Sequence, residues 1–370
     1  MHYLLLTREF PPNVLGGVAY HSYNLARELT ARGHDVTVLT TDTGDYTDTD
    51  LDTTEITVDR LDPPTVASPR CWFDRAVRRR LAGSDLLADA DVIHSHEYVR
   101  FDALDTDTPT ILKVHFNLAR KFEFFPFETY HPVVRPAVRF AVDHGVEPLE
   151  RRLASQGLAG ADARLFVSRL ARDARTDGAR PTDGDHVVHN GVDLDRFTPH
   201  DTPERDGEYF LFVGGTQRRK GYETLRTAVA GTEIPVRVAG GSPPPDLPPN
   251  VTALGHVPQS ALPDLYRNAR ALVHPAHYEP FGNVVLEALA CGTPVITTDE
   301  TACGAAELLH DGVGTTVHPA DPEELQLTLQ QFDSRAYDST TCRRLAEAHP
   351  WSEVASRTES VAESLVAGDN

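Results

Sequence analysis

Lysine is nearly missing. Among 35 basic residues only Lys113, Lys121 and Lys220 are lysine, against 55 Asp and Glu and a formal net charge of −20. A field this negative repels nucleic acid, whose binding needs a basic stripe, so any phosphate site must be a local positive pocket. An acidic, lysine-poor, Asp-rich surface also keeps a protein hydrated in concentrated salt, and salt adaptation in a halophilic host is the expectation. Cysteine is scarce as well. Cys71, Cys291, Cys303 and Cys342 are too far apart for a CxxC zinc or redox pair. No apolar run reaches the ~18 residues of a membrane span, and the start, residues 1–6, carries no basic leader. A soluble, cytoplasmic chain without disulfides is expected. The dinucleotide fingerprint GxGxxG is also absent.

What is present is an α/β pattern. At 370 residues the chain is too long for one compact core. Residues 2–7 form an apolar strand, 11–17 a Pro- and Gly-bearing loop, 18–32 an amphipathic helix closed by Gly33, and 35–40 the next strand. Further strands read at 91–94, 110–115 and 163–168. The second half repeats the scheme, with strands at 209–213, 235–239, 251–254, 271–274, 294–297 and 314–317. Helices read at 222–230, 261–269, 283–291 and 322–332, and a lone amphipathic helix at 351–366. The polar stretch 198–207 is the expected junction, and the Pro-rich run 242–249 reads as a stiff surface loop. Two doubly wound domains of this kind bind ligands at the carboxyl ends of their strands.

Four segments carry chemistry. In 277–292 (HYEPFGNVVLEALACG), Glu287 stands in an otherwise apolar run, and a buried carboxylate is costly unless paired. Its helical neighbours Asn283, Val284, Ala290 and Cys291 include no base, so a distant Arg or a ligand hydroxyl must reach it. Glu279 precedes a helix that starts near Gly282, whose free amides suit an anion such as a diphosphate. In 212–221 (FVGGTQRRKG), a strand ends in Gly214-Gly215 and three cations follow, Arg218, Arg219 and Lys220. Lys220 is well placed to neutralise a leaving phosphate. Gly16-Gly17 permits close backbone approach before the first helix. His115 closes the 110–115 strand. A metal site on His94-Ser95-His96 lacks a third ligand at a convincing spacing, so no metal is expected.

These elements together resemble the GT-B retaining glycosyltransferases of family 4. The resemblance runs through FPPNVLGGVAYHSYNLARELTARGHDVTVLT, DVIHSH, ILKVH, VVHNGVDLDRFTP, FLFVGG…RKG and HYEPFGNVVLEALACGTPVI, and Glu279/Glu287 match the family's E-x7-E signature. It implies two Rossmann-like domains, an acceptor domain over 1–200 and a donor domain over 207–349, with a helix over 350–370 packing back on the first. It further implies metal-independent transfer of a hexose from a donor such as UDP- or GDP-hexose. Under it, Gly16 and Gly17 lie near the donor phosphate and acceptor, His115 contacts the transferred sugar and Lys220 holds the diphosphate. Glu279 and the Phe281-Gly282-Asn283 backbone hold the sugar, Glu287 the ribose, and the His256-Val257 backbone the base. One departure stands out: where the family often carries Gly-Arg, this chain has Gly215, and either Arg218 or Arg219 substitutes or the site rests on Lys220 and the helix dipole alone.

The acceptor is open between a sugar, a small molecule and a lipid-linked or phosphorylated compound. Residues 70–80 (RCWFDRAVRRR) and the aromatic stretch 121–127 (KFEFFPF) admit peripheral contact with an anionic membrane surface. The alternatives are a GT-B nucleotide-sugar epimerase or phosphorylase, and a non-catalytic nucleotide-sugar-binding protein.

Overall fold

Two parallel sheets, each flanked by helices, organise the chain. In this computed structural model the described residues are 1–14, 16–42, 46–47, 51–62, 69–174, 180–200, 207–241 and 247–368. Part of the expected junction and most of the Pro-rich run therefore lie outside the described residues. The chain divides into two compact units, Met1–His189 with Trp351–Asn370, and Asn190–Pro350.

In the first unit β1 (His2–Leu6) leads through α1 (Gly17–Ala31) to β2 (Asp35–Thr41) and β3 (Thr57–Leu61). After α2 (Pro69–Leu81) come β4 (Val92–Ser95), β5 (Thr110–Val114), α3 (Glu147–Gly160), β6 (Ala163–Phe166) and β7 (Asp185–Val187). The strand order is β3-β2-β1-β4-β5-β6-β7, and each of the six pairings is parallel. Strands covered on both faces read as unbroken apolar runs, which is why LLL and TILKV were legible.

The second unit has β8 (Tyr209–Val213), α4 (Tyr222–Val229), β9 (Val236–Ala239), β10 (Val251–Gly255), α5 (Leu262–Arg267), β11 (Ala269–His274), α6 (Asn283–Ala290), β12 (Val295–Thr298), β13 (Gly314–Val317) and α7 (Pro322–Gln331). Its order, β10-β9-β8-β11-β12-β13, is again all parallel. In both sheets the first strand sits centrally and the order reverses beside it. That reversal, between β1 and β4 and between β8 and β11, is where an open α/β sheet leaves room for a ligand.

The terminal helix α8 (Trp351–Ala367) packs in the first unit: Trp351, Val354, Ala355 and Ala362 join a core with Tyr3, Leu25 and Leu29. His34 and Arg32, just past α1, reach Glu359 at 2.8 and 3.2 Å. The division between units falls at His189/Asn190, earlier than the junction read over 198–207. The physical reason is a clasp: Arg343 donates to the carbonyls of Phe197 (2.6 Å) and Leu194 (3.2 Å), and Arg267 to that of Thr198 (2.6 Å). Residues 190–198 are thus held by the second unit.

None of the four cysteines forms a disulfide. No helix among the described residues is long and apolar enough to cross a membrane. The basic segment read over 70–80 is partly neutralised. Arg70 is buried against Glu97 and Glu150 at 3.3 and 3.5 Å, Arg78 pairs with Asp74 and Arg80 with Asp59, while Phe73 lies in the core. Three of its five arginines are thereby paired within the protein, while Arg75 and Arg79 are exposed.

Candidate functional site

Glycines shape the switch point of the second unit. β8 runs into Gly214, whose N–H donates to Ala239 O at 2.8 Å, and Gly240 N–H donates to Gly255 O at 2.7 Å. Gly240 has φ +108°, and a Cβ there would sit 2.9 Å from Gly214 O, so the strand ends close up only with glycine at 240. Gly221 is more constrained still. Its φ is +75°, and an added Cβ would fall 1.7 Å from Pro275 O. This approach presses the Arg218–Lys220 turn against the chain leaving β11, where His277 and Tyr278 N–H both donate to Arg219 O (2.8 and 3.2 Å).

The result is a charged cluster. Lys220 Nζ donates to Glu279 Oε2, and Arg219 Nη1 approaches the same oxygen at 3.3 Å. The side chain of Glu279 is only 12% exposed, and His274, fully buried, lies 3.8 Å away. Burial pushes the Glu279 carboxyl up, but Lys220 and then Arg219 outweigh it and hold it at about 2. Burial, reinforced by Lys220, holds the His274 imidazole down at about 4, so it is neutral near pH 7. Two cations and one carboxylate leave this corner with a net positive charge inside an acidic protein.

Glu279 is fixed on its backbone too, its N–H donating to Ala302 O (2.7 Å) and its carbonyl accepting from Gly304 (2.9 Å). Gly282, at φ +101°, turns the chain into α6, which has no side-chain cap and no acidic residue in its first turn. Its opening amides are therefore the kind of donors an anion takes. The Asn283 side chain accepts from Asn190 Nδ2 at 2.8 Å. One turn on, Glu287 Oε2 accepts from the Tyr266 hydroxyl at 2.7 Å. A phenol from α5, which the sequence did not suggest, thus takes one of its oxygens, and no arginine is hydrogen-bonded to it among the described residues. Burial raises the Glu287 carboxyl above its ordinary range, partly offset by that hydrogen bond. His256 is exposed and Val257 half-buried just past β10. Of the two candidate substitutes for the cation missing at Gly215, Arg219 joins the cluster and Arg218 is exposed.

The switch point of the first unit is built from imidazoles. His94 lies in β4 and His96 just past it, His115 follows β5, and His21 comes from α1. His96 Nδ1 lies 3.0 Å from His115 Nε2, His94 and His96 stack at 4.8 Å, and the His21 ring stands edge-on to His115 at 4.7 Å and to Trp351 at 5.0 Å. Burial, with Lys113 and the neighbouring rings, holds all four pKa values down, that of His94 at about 3. Lys113, itself buried, is lowered to about 7 and donates to Val188 O at 2.5 Å. His94 and His96 gain no third partner from neighbouring sequence, but His96 does meet rings from other elements. Nitrogens of His21, His96 and His115, residues far apart in sequence, lie within 4.8 Å of one another. Gly16 N–H is already engaged, donating to buried Glu9 at 2.8 Å, and Gly17 opens α1 exposed.

The sequence reading missed His21, His274 and Tyr266. A usable signal existed for His21: it falls between Val18 and Leu25 on the apolar face of α1, where a polar ring must be accounted for.

Comparison with known proteins places the chain among glycosyltransferases. Residues 15–196 match the Glycosyltransferase Family 4 model and residues 197–348 the model for glycosyl transferases group 1. A D-inositol 3-phosphate glycosyltransferase of Frankia alni is 30% identical over 357 residues, 86% of each chain. A glycogen synthase of Mycobacterium tuberculosis is 26% identical over 98% of this chain and 94% of its own. Among solved structures, a sucrose-phosphate synthase from Thermosynechococcus elongatus superposes with a TM-score of 0.77 at 20% identity, covering 99% of both chains. Anabaena HepE, crystallised with UDP and glucose, gives 0.70 at 18% identity over 98% of this chain and 99% of that one. These structures share the GT-B fold with the chain.

Proposed function

Because the chain belongs to the family 4, group 1 glycosyltransferases, we propose that it moves a hexose from a nucleoside-diphosphate sugar to a hydroxyl acceptor with retention of anomeric configuration. The observation that carries this reading is the Lys220–Glu279–Arg219 cluster at the β8/β11 switch point, beside the uncapped start of α6. As the glycosidic bond breaks, negative charge grows on the diphosphate and positive charge on the sugar ring. Only contacts that strengthen along that path accelerate it. Lys220 and Arg219 meet the leaving diphosphate, Arg219 taking the place of the cation absent at Gly215. Glu279 keeps Lys220 aimed before the donor arrives, so little reorganisation is needed at the moment of reaction.

Glu279, with the Phe281, Gly282 and Asn283 backbone, takes sugar hydroxyls. Glu287 has one oxygen occupied by Tyr266 and offers the other to ribose. The roles of His256 and Val257 toward the base, of His115 toward the transferred sugar, and of Gly16 and Gly17 near phosphate and acceptor are those the family implies. The acceptor is a hydroxyl of a sugar, a small molecule or a lipid-linked or phosphorylated compound, and these side-chain cations serve the diphosphate without a metal.

A thermal-shift panel of nucleotides and UDP-, GDP- and ADP-sugars at high KCl tests the reading, followed by NMR of the product anomer. One donor class should raise the melting temperature and yield transfer or hydrolysis with the donor's own anomeric configuration. Inverted product removes retention. Failure of every nucleotide sugar to bind or turn over removes the donor assignment.

A further inference from the structure

The imidazole cluster of the first unit is larger than a single sugar contact requires. His21 and His96 are 1% and 2% exposed, and neither ring nitrogen of His21, nor Nε2 of His96, has a hydrogen-bond partner among the described residues. Buried polar atoms left unpaired are costly and rare. Three neutral imidazoles converging from α1, β4 and β5 are also the ligand form and ligand type that a borderline transition metal prefers.

We propose that His21, His96 and His115 form a binding site for a divalent cation of the zinc class. Zn–N bonds of about 2.0–2.1 Å place tetrahedral nitrogens about 3.4 Å apart. His96 Nδ1 and His115 Nε2, 3.0 Å apart and sharing a hydrogen bond, need to part by about 0.4 Å with the shared proton moved to an outer nitrogen, and the 4.8 Å limit on the set asks for a ring adjustment of roughly an ångström at His21. Three protein ligands leave a fourth position open, as in sites that exchange a water or a substrate.

Two features set the affinity. Lys113, fully buried two residues before His115 and donating to Val188 O, brings a basic side chain to the cluster that opposes a cation. No described residue accepts from the outer ring nitrogens of His21 or His96, and loss of such support costs about 10–100-fold in affinity. With an open fourth position and no such outer support, the site is an exchangeable one. It also competes for His115: on the reading that His115 contacts the transferred sugar, a bound metal is an inhibitor.

The test uses the full, untagged chain in chelator-treated buffer. Co2+ titration followed by visible absorption and Zn2+ titration calorimetry should both show one equivalent bound. His21→Ala and His96→Ala should each weaken binding about 10-fold or more, while His310→Ala, at an exposed position, should not. Circular dichroism monitors folding, and His21→Asn with His96→Gln replaces any alanine variant that does not fold. Absence of saturable one-equivalent binding, or binding unchanged in both His21 and His96 variants, overturns the site and leaves glycosyl transfer untouched. One-equivalent binding without loss of turnover supports the site and removes His115 from the sugar.

Discussion

The two units share a strand order and a switch point, yet fill that point with opposite chemistry. In the first, burial suppresses charge, and four imidazoles and a lysine all have lowered pKa values. In the second, a carboxylate that is also largely buried stays ionised because two cations meet it. The sheet topology decides where a ligand can sit. Whether that place is neutral or charged depends on whether the neighbours compensate burial or add to it. The loops differ likewise. Gly221 is locked by Pro275 O, whereas Gly16 has extended φ (176°) and open space around its Cβ position.

The largest effect expected from this contrast is on stability. Gly221→Ala should cost about 4 kcal/mol, since it combines a left-handed φ with an overlap against backbone. Gly16→Ala should cost less than about 1 kcal/mol, because extended backbone suits any residue. Urea unfolding of the two variants checks both. Equal costs would show that the two loops are constrained alike.

Next in size is catalysis. Lys220→Ala should lower kcat/KM by roughly 10², or about 2.7 kcal/mol of transition-state stabilisation, as expected for one well-aimed charge. His115→Ala should cost about 10-fold, as expected for loss of a neutral hydrogen bond. Steady-state kinetics with the identified donor decide it. A larger loss at His115 than at Lys220 would move the burden of charge stabilisation to the first unit.

Much of the scaffold was legible because buried parallel strands betray themselves as short apolar runs: YFLFV marks β8 at the residues observed. Glu279, Glu287 and Lys220 stood out for a similar reason, as charges where the pattern wanted none. The pairing of Lys220 with Glu279 was not legible, because it depends on Gly221 meeting Pro275, a contact between loops after two different strands. Likewise Tyr266 reaches Glu287 from another helix, and the clasp of Arg343 and Arg267 on residues 190–198 moved the boundary between units away from the polar stretch that composition suggested. The imidazole cluster assembles four histidines from three elements, which no local spacing encodes.

The smallest effect separates the two glutamates by sign. Glu279 has its folded pKa depressed to about 2, so its contribution to stability is complete above the ordinary carboxyl range and drains away as pH falls from about 4.5 toward 2. Glu287 has its folded pKa raised, so the folded state holds a proton that the unfolded chain releases, and stability declines as pH climbs from about 4.5 through the raised value. Neither slope can exceed about 1.4 kcal/mol per pH unit for a single group. Relative to wild type, Glu279→Gln should therefore be most destabilised at neutral pH and converge with it in acid, while Glu287→Gln should converge in acid and gain as pH rises. Unfolding free energies measured by denaturant between pH 3 and 7 resolve the two. Slopes of the same sign would mean that Lys220 and Arg219 do not distinguish these carboxylates, and the charged character assigned to the second switch point would be lost.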